Sequence, residues 1–395
     1  MHISSSLNVL GLSRVVLLLL STIVLTEETM SEQGVPDFAK LTDFACSSSG
    51  GQVVFATDDF FSPCELMISA PDPVFFPDRF TEFGKWMDGW ETRRKRVPGH
   101  DWCVLRLATK CDIKGVLVDT AFFTGNFAPK YSIQGAVLNE QEEAQIPKRK
   151  SEMGSAAAAS DLKQMNDLSR DWPEIVPRTP LRPGYEDTRM NYRNVTSGGP
   201  YTNIRVNIYP DGGIARLRVF GVAQPTPPAA DTRLDLASLL TGTVCEDYSN
   251  AHYGHPRNML SPGRGAGMAD GWETARRPDR PEVLLAKSDG TIVVTGEEWA
   301  TFRLGFRGAL EEIGVDTNHF KGNYPDSIKI EGLDALGDGT WATILNPSKL
   351  SAHKEHWFPC SSGPVTHVRV TIAPDGGVSR LRLMGHAVAR SDDEF

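Results

Sequence analysis

Ile204-Arg205-Val206-Asn207-Ile208-Tyr209-Pro210-Asp211-Gly212-Gly213-Ile214-Ala215-Arg216-Leu217-Arg218 reads as two strands joined by a turn, and it decides the fold class. Ile204, Val206 and Ile208 alternate with Arg205, Asn207 and Tyr209, the two-residue period of a strand with one apolar face. Pro210-Asp211-Gly212-Gly213 supplies turn chemistry, because proline presets its own backbone angle and glycine admits conformations closed to other residues. Leu217 and Val219 then alternate with Arg216 and Arg218, so the chain returns as the second arm of a β-hairpin.

The pattern recurs as Val368-Arg369-Val370-Thr371-Ile372-Ala373-Pro374-Asp375-Gly376-Gly377-Val378-Ser379-Arg380-Leu381-Arg382. Two further strings recur upstream in the same order. Val118-Asp119-Thr120-Ala121-Phe122-Phe123-Thr124-Gly125-Asn126 matches Val315-Asp316-Thr317-Asn318-His319-Phe320-Lys321-Gly322-Asn323, and Asp88-Gly89-Trp90-Glu91-Thr92 matches Asp270-Gly271-Trp272-Glu273-Thr274. The chain is an internal duplication whose loops have drifted: one copy carries about 15 extra residues between the first two motifs, the other about 33 between the last two. Period two also marks Val116-Leu117-Val118 and Ser327-Ile328-Lys329-Ile330, while helical periodicity is confined to short stretches such as Asp161 to Leu168. The expected fold is mainly β, with two homologous antiparallel sandwiches.

The 395 residues suffice for two domains, each burying its own core. Residues 30–221 are expected to form the first repeat, a Pro-rich linker to follow at 222–235, and the second repeat to occupy 236–395. Residues 139–190 hold an insertion peculiar to the first copy, with Pro147-Lys148-Arg149-Lys150 and an alanine run at 156–159; low complexity predicts a mobile surface loop without chemistry. A net charge of −9 opposes nucleic acid and anionic membrane as principal partners. Six cysteines without a C-x-x-C pair make a poor disulfide framework and a poor zinc knuckle, which favours reduced thiols inside a cell. Against this, Arg14 followed by the apolar run Val15–Leu25 outlines a secretory signal, too short for a confident membrane span. The preferred reading makes residues 1–29 a leader or upstream extension and Met30 the functional start.

A motif kept in both copies serves folding first. In the doubled Asp-Gly-Trp-Glu-Thr, Asp-Gly suggests a tight turn and tryptophan a core anchor. The functional reading sets Glu91 and Glu273 at a loop rim beside arginines such as Arg276, suited to a small polar substrate. Arg205 and Arg369 lie on the hairpin face opposite the apolar residues, where a covering domain would let them grip a carboxylate. Asymmetry between copies is more telling: His319 and Lys321 stand where the first copy has Phe122 and Thr124, and seven of nine histidines fall in the second copy. The two H-x-x-H strings, His252 to His255 and His353 to His356, are weak metal signals, so a divalent ion is an open possibility rather than an expectation. No nucleophile elbow, Walker loop or dinucleotide fingerprint is present.

On these residues the chain resembles the allantoicases. The resemblance rests on the doubled Asp-Gly-Trp-Glu-Thr, on Gly314-Val315-Asp316-Thr317 running into Phe320-Lys321-Gly322-Asn323-Tyr324-Pro325, and on the doubled hairpin, and it covers most of residues 35–388. It implies two jelly-roll sandwiches similar to galactose-binding domains, hydrolysis of allantoate to ureidoglycolate and urea in purine degradation, a homo-oligomer, and a cytoplasmic or peroxisomal location. The leader before Met30 departs from the family pattern. Chemistry then suggests roles: Arg276 or Arg369 anchors the substrate carboxylate, Glu273 or Asp316 acts as base, His319 and Lys321 assist the departing urea, and Asn323 binds an amide edge. Their counterparts Glu91, Asp119, Asn126 and Arg205 form either a second site or the far wall of a shared one. The rivals are a tandem binding module without catalysis, and a hydrolase of a related ureide.

Overall fold

The computed structural model describes residues 34–196, 199–229, 231–281, 283–293 and 296–388. The apolar run at 15–25 and Met30 lie outside the described residues. The chain divides into an N-terminal unit ending at Asp37 and a body, Phe38–Phe395, that carries the strands. No helix among the described residues is long and apolar enough to cross a membrane.

The first repeat is built from β1 (Thr42–Asp43), β2 (Gln52–Ala56), β3 (Trp90–Glu91), β4 (Asp101–Asp119), β5 (Lys130–Ala136), β6 (Glu174–Pro180), β7 (Met190–Asn194), β8 (Tyr201–Tyr209), β9 (Gly213–Ile214) and β10 (Arg216–Ala223). The second repeats the series as β11 (Arg233–Asp235), β12 (Val244–Tyr248), β13 (Trp272–Glu273), β14 (Glu298–Asp316), β15 (Ser327–Leu333), β16 (Trp341–Lys349), β17 (Glu355–Pro359), β18 (Pro364–Ala373), β19 (Gly377–Val378) and β20 (Arg380–Ala387). Each repeat holds one eight-stranded antiparallel sheet curled on itself, with the same pairing order in both. The curl follows from β4 and β14, which are 19 residues long. The first part of β4 pairs with β2 and β8, its last part with β10 and β7, and register shifts interrupt the ladders between them. One strand therefore serves both layers of a sandwich, and bulges give it the bend. The result is two antiparallel sandwiches, as the alternating strands predict, of the jelly-roll form that the resemblance implies.

The quoted hairpins supply the centre of each core. Ile204, Val206, Ile208 and Leu217 are fully buried, as are Val368, Val370, Ile372 and Leu381. Burying a side chain of this kind is worth about 1.5–3 kcal/mol. The second glycine of each turn repeats because a ring lies against it: a Cβ on Gly213 would stand 2.1 Å from the Phe123 ring, and one on Gly377 2.0 Å from Phe320.

Where the sequence predicted a structureless insertion, the structure places α1 (Glu140–Glu143) and α2 (Ala159–Ser169). Met165 of α2 is fully buried in a second cluster with Phe55, Trp102, Val104, Leu138 and Trp172. The helix covers the outer face of the first repeat, so β8 is buried on both sides rather than one. Arg149, expected in a mobile surface loop, pairs with both Asp59 and Glu65 at 2.7 Å. The apolar spacing within 161–168 carried this helix; the neighbouring alanine run and mixed charge masked it.

Candidate active site

The doubled Asp-Gly-Trp-Glu-Thr spends four of its five residues on structure. The Trp90 and Trp272 indoles are fully buried and donate to the carbonyls of Asp58 and Asn250, each at 2.8 Å. Asp88 pairs with the Arg216 guanidinium at 2.8 Å and Asp270 with Arg380 at 2.7 Å, which ties the motif to the hairpin. Thr92 and Thr274 accept the N–H of Gly212 and Gly376 at 3.2 and 3.0 Å. The glycines allow close approach, since a Cβ on Gly89 would meet the Ile214 carbonyl at 2.4 Å. Only the glutamates remain for other work. Glu91 accepts from the Asn126 amide at 2.7 Å, and Glu273 accepts from Asn323.

In the second repeat two loops face each other. One runs from Asp316 at the end of β14 to Asn323, the other from Gly263 to Asp270 ahead of β13. Asp316 is buried, accepts the Asn318 N–H at 2.8 Å, and takes Nε and Nη2 of Arg264 at 3.1 and 3.3 Å. The Gly265 carbonyl accepts from the Asn318 amide at 3.2 Å and lies 2.8 Å from His319 Nε2. His319 sits at φ +71, as Phe122 does at +68 in the first copy. Such a backbone is strained for either residue and persists only when held. His353 Nδ1 holds it by accepting the His319 N–H at 2.8 Å, the part played by the Gly184 carbonyl for Phe122. At the far end Asn323 reaches the Met268 sulfur at 3.7 Å as well as Glu273. Asp316, His319 and Asn323 on one loop are thus gathered with Glu273 on β13, just after the facing loop, with Lys321 exposed between His319 and Asn323.

A shallow, open cleft lies beside this cluster, lined by Gly263, Arg264, Asp316, Glu355, Trp357, Arg380 and Arg382 among others. Burial lowers the Arg382 pKa, and its guanidinium is occupied by the carbonyls of Ser261 and Gly263 at 2.8 and 2.6 Å. Hydrogen bonding to Asp316 raises that of Arg264, chiefly by stabilising its charge.

The first repeat builds the same Glu91–Asn126 pair in a different setting. Its loop ahead of β3 spans residues 70–87 against 262–269, and is rich in aromatics. Phe75 stacks on Phe122 with centroids 5.4 Å apart, and Lys85 and Arg79 lie over the Phe75 and Trp86 rings. Asp119 takes its arginine from the opposite side, Arg189 at 2.7 Å. Burial raises the carboxyls of Glu91 and Asp119 above their ordinary range, against the lowering contacts of Asn126 and Arg189.

The remaining arginines lie elsewhere. Arg205 is buried beneath α2, its guanidinium 3.8 Å from the Trp102 ring centroid and bonded to Ser169 at 3.0 Å; burial brings its pKa down to about 10. Arg369 lies over Trp341 and is paired in register with Thr301, toward the opposite end of β14 from Asp316. Neither joins the loop cluster. Arg276 is exposed three residues after Glu273, and nothing among the described residues holds its fork. The H-x-x-H histidines are spent locally: His255 Nδ1 accepts the Arg257 N–H at 3.0 Å, and His356 Nε2 accepts that of Ser351 at 2.9 Å. Among the described residues no three His, Cys, Asp or Glu side chains converge as a metal ion would require. Sequence reasoning missed Arg264, which lies in a drifted loop with no motif around it. Its signal emerges only when the turns Cys64–Ile68 and Pro256–Leu260 are superposed by position, which sets Arg264 opposite Asp72.

Comparison with known proteins agrees with this architecture. The family model of the allantoicase repeat matches residues 42–224 and again 234–388. A probable allantoicase of Burkholderia mallei is 39% identical over 372 residues, covering 90% of this chain and 98% of the relative. One from Pseudomonas aeruginosa is 39% identical over 364 residues, covering 88% and 96%. The crystal structure of Saccharomyces cerevisiae allantoicase superposes with a TM-score of 0.67 at 34% identity, across 88% of this chain and 93% of that one. With both repeats matched, and relatives at this identity spanning nearly their whole length, the chain belongs to the allantoicase family.

Proposed function

We propose that this protein hydrolyses allantoate to ureidoglycolate and urea at the loop cluster of the second repeat. Allantoate carries a carboxylate and two ureido groups on one central carbon. In the reaction one carbon–nitrogen bond at that carbon breaks, the hydroxyl of water takes its place, and the other proton of water ends on the nitrogen of the departing urea. The observation that carries the reading is the Glu273–Asn323 pair, which joins β13 to the loop that bears His319 and Lys321.

Burial and hydrogen-bond partners support different roles for these residues. Asp316 is buried and held by Arg264 and a backbone N–H, so it orients rather than abstracts. Glu273 is less buried and receives one amide, which leaves its second oxygen to take a proton from water or from the retained ureido nitrogen. Asn323 points its amide at Glu273 and has its carbonyl oxygen left for the N–H edge of a ureido group. Lys321, exposed on the same loop, and the Nδ1 edge of His319 serve the departing urea. Urea release from allantoate by the purified protein tests the reading. Glu273→Gln should lower turnover by about 10²–10⁴-fold, the usual contribution of a positioned base. Saturable allantoate binding without urea would replace hydrolysis with a binding module, and a higher specificity constant for another ureide would move the substrate.

A further inference from the structure

The two repeats differ in how they treat one buried arginine. In the first, Arg216 Nε donates to the Pro71 carbonyl at 2.9 Å, which leaves its fork satisfied. In the second, Arg380 occupies the same place and makes the same pair with aspartate, yet its Nε is buried without an acceptor among the described residues. The cause lies in the backbone. Gly263, which stands at the Pro71 position, takes φ +66, a conformation closed to proline, and its carbonyl accepts from Arg382 instead. The neighbouring Ser379 hydroxyl, alanine in the first copy, is likewise fully buried and without a partner. An orphaned buried donor is costly and calls for an acceptor.

Arg264 stands at the edge of the same cleft. Asp316 grips its Nε and Nη2, which fixes the guanidinium and leaves Nη1 without a partner among the described residues. The side chain is 55% exposed. The first repeat has Asp72 at this position, close enough to raise the Asp119 carboxyl further. A carboxylate would be repelled there and is attracted here.

Resting on the allantoate reading above, we propose that this cleft of the second repeat is the seat of the substrate carboxylate. Arg264 Nη1 and Arg380 Nε–H are its donors, and the ureido groups extend toward Glu273 and Asn323. Arg264 is then a specificity-determining residue: it selects ureido acids over their neutral amides, and it makes the second repeat the working one.

The test begins with the wild-type protein, which must release urea from allantoate for the functional reading itself to stand. N-Carbamoylglycine, which keeps the carboxylate and one ureido group but has no second urea to lose, should inhibit competitively, and its carboxamide about 10- to 100-fold more weakly, the range of a charged hydrogen bond. Arg264→Gln should raise KM for allantoate by a similar factor with kcat changed only severalfold, Arg264→Lys should recover part of it, and Asp72→Asn should leave both constants alone. Equal inhibition by acid and amide, or an Arg264→Gln KM within about threefold of wild type, overturns the assignment while allantoate turnover stands. The inhibitor comparison needs no variant and decides the matter even where a substitution harms folding.

Discussion

At the scale of single residues, the pairs Asp88–Arg216 and Asp270–Arg380 explain why two motifs far apart in the chain repeat together: each copy's turn aspartate is the counter-ion of its hairpin arginine. Arg216 is 3% exposed, so removing its partner leaves a buried charge uncompensated. Asp88→Asn should destabilise the protein by about 3 kcal/mol, read as a lowered midpoint of chemical unfolding. The glutamates, asparagines and histidine of the candidate site were legible as candidates because they flank or punctuate these repeated strings. Arg264 was not, since a residue in a shortened loop shows neither period nor motif, and its meaning lies in a carbonyl turned aside at Gly263.

At the scale of elements, the alternating hairpins announced themselves and formed as read. The insertion did not, because α2 is stabilised less by its own sequence than by the Trp102 and Phe55 surface beneath it. Met165→Ala should therefore cost about 2–5 kcal/mol and loosen the helix, measurable as faster proteolysis within 139–172. The short turn Pro256–Leu260 offers a pH-dependent test. Its cap, His255, is pushed by burial down to about 4, so it stays neutral in the fold while the unfolded chain protonates near its ordinary value of about 6.5. Stability from this residue is complete above that value and is lost as pH falls toward 4, because the unfolded state then binds the extra proton. His255→Asn keeps a capping acceptor and removes the titration. Its Tm should fall less than that of the wild type between pH 7 and 4.5, by about 2–4 °C.

At the scale of the whole molecule, one scaffold appears twice, and on the proposed function one copy's loops carry the chemistry. The first copy stacks Phe75 on Phe122, whereas in the second a cleft lined by Arg264 and Asp316 lies beside the loop of His319. Glu91→Gln should accordingly reduce urea release less than tenfold, against the much larger loss for Glu273→Gln. Comparing turnover of the two variants at saturating substrate reads the difference directly. Duplication was plain in the chain, whereas the proposed division of labour rested in the sequence on His319 and Lys321 alone. The long strands β4 and β14 carry a last consequence. Each lends its amides to both layers of its sandwich, so neither layer can peel away without breaking the element they share. Each sandwich should open as a single cooperative block, with the amides of these two strands the last to exchange with solvent.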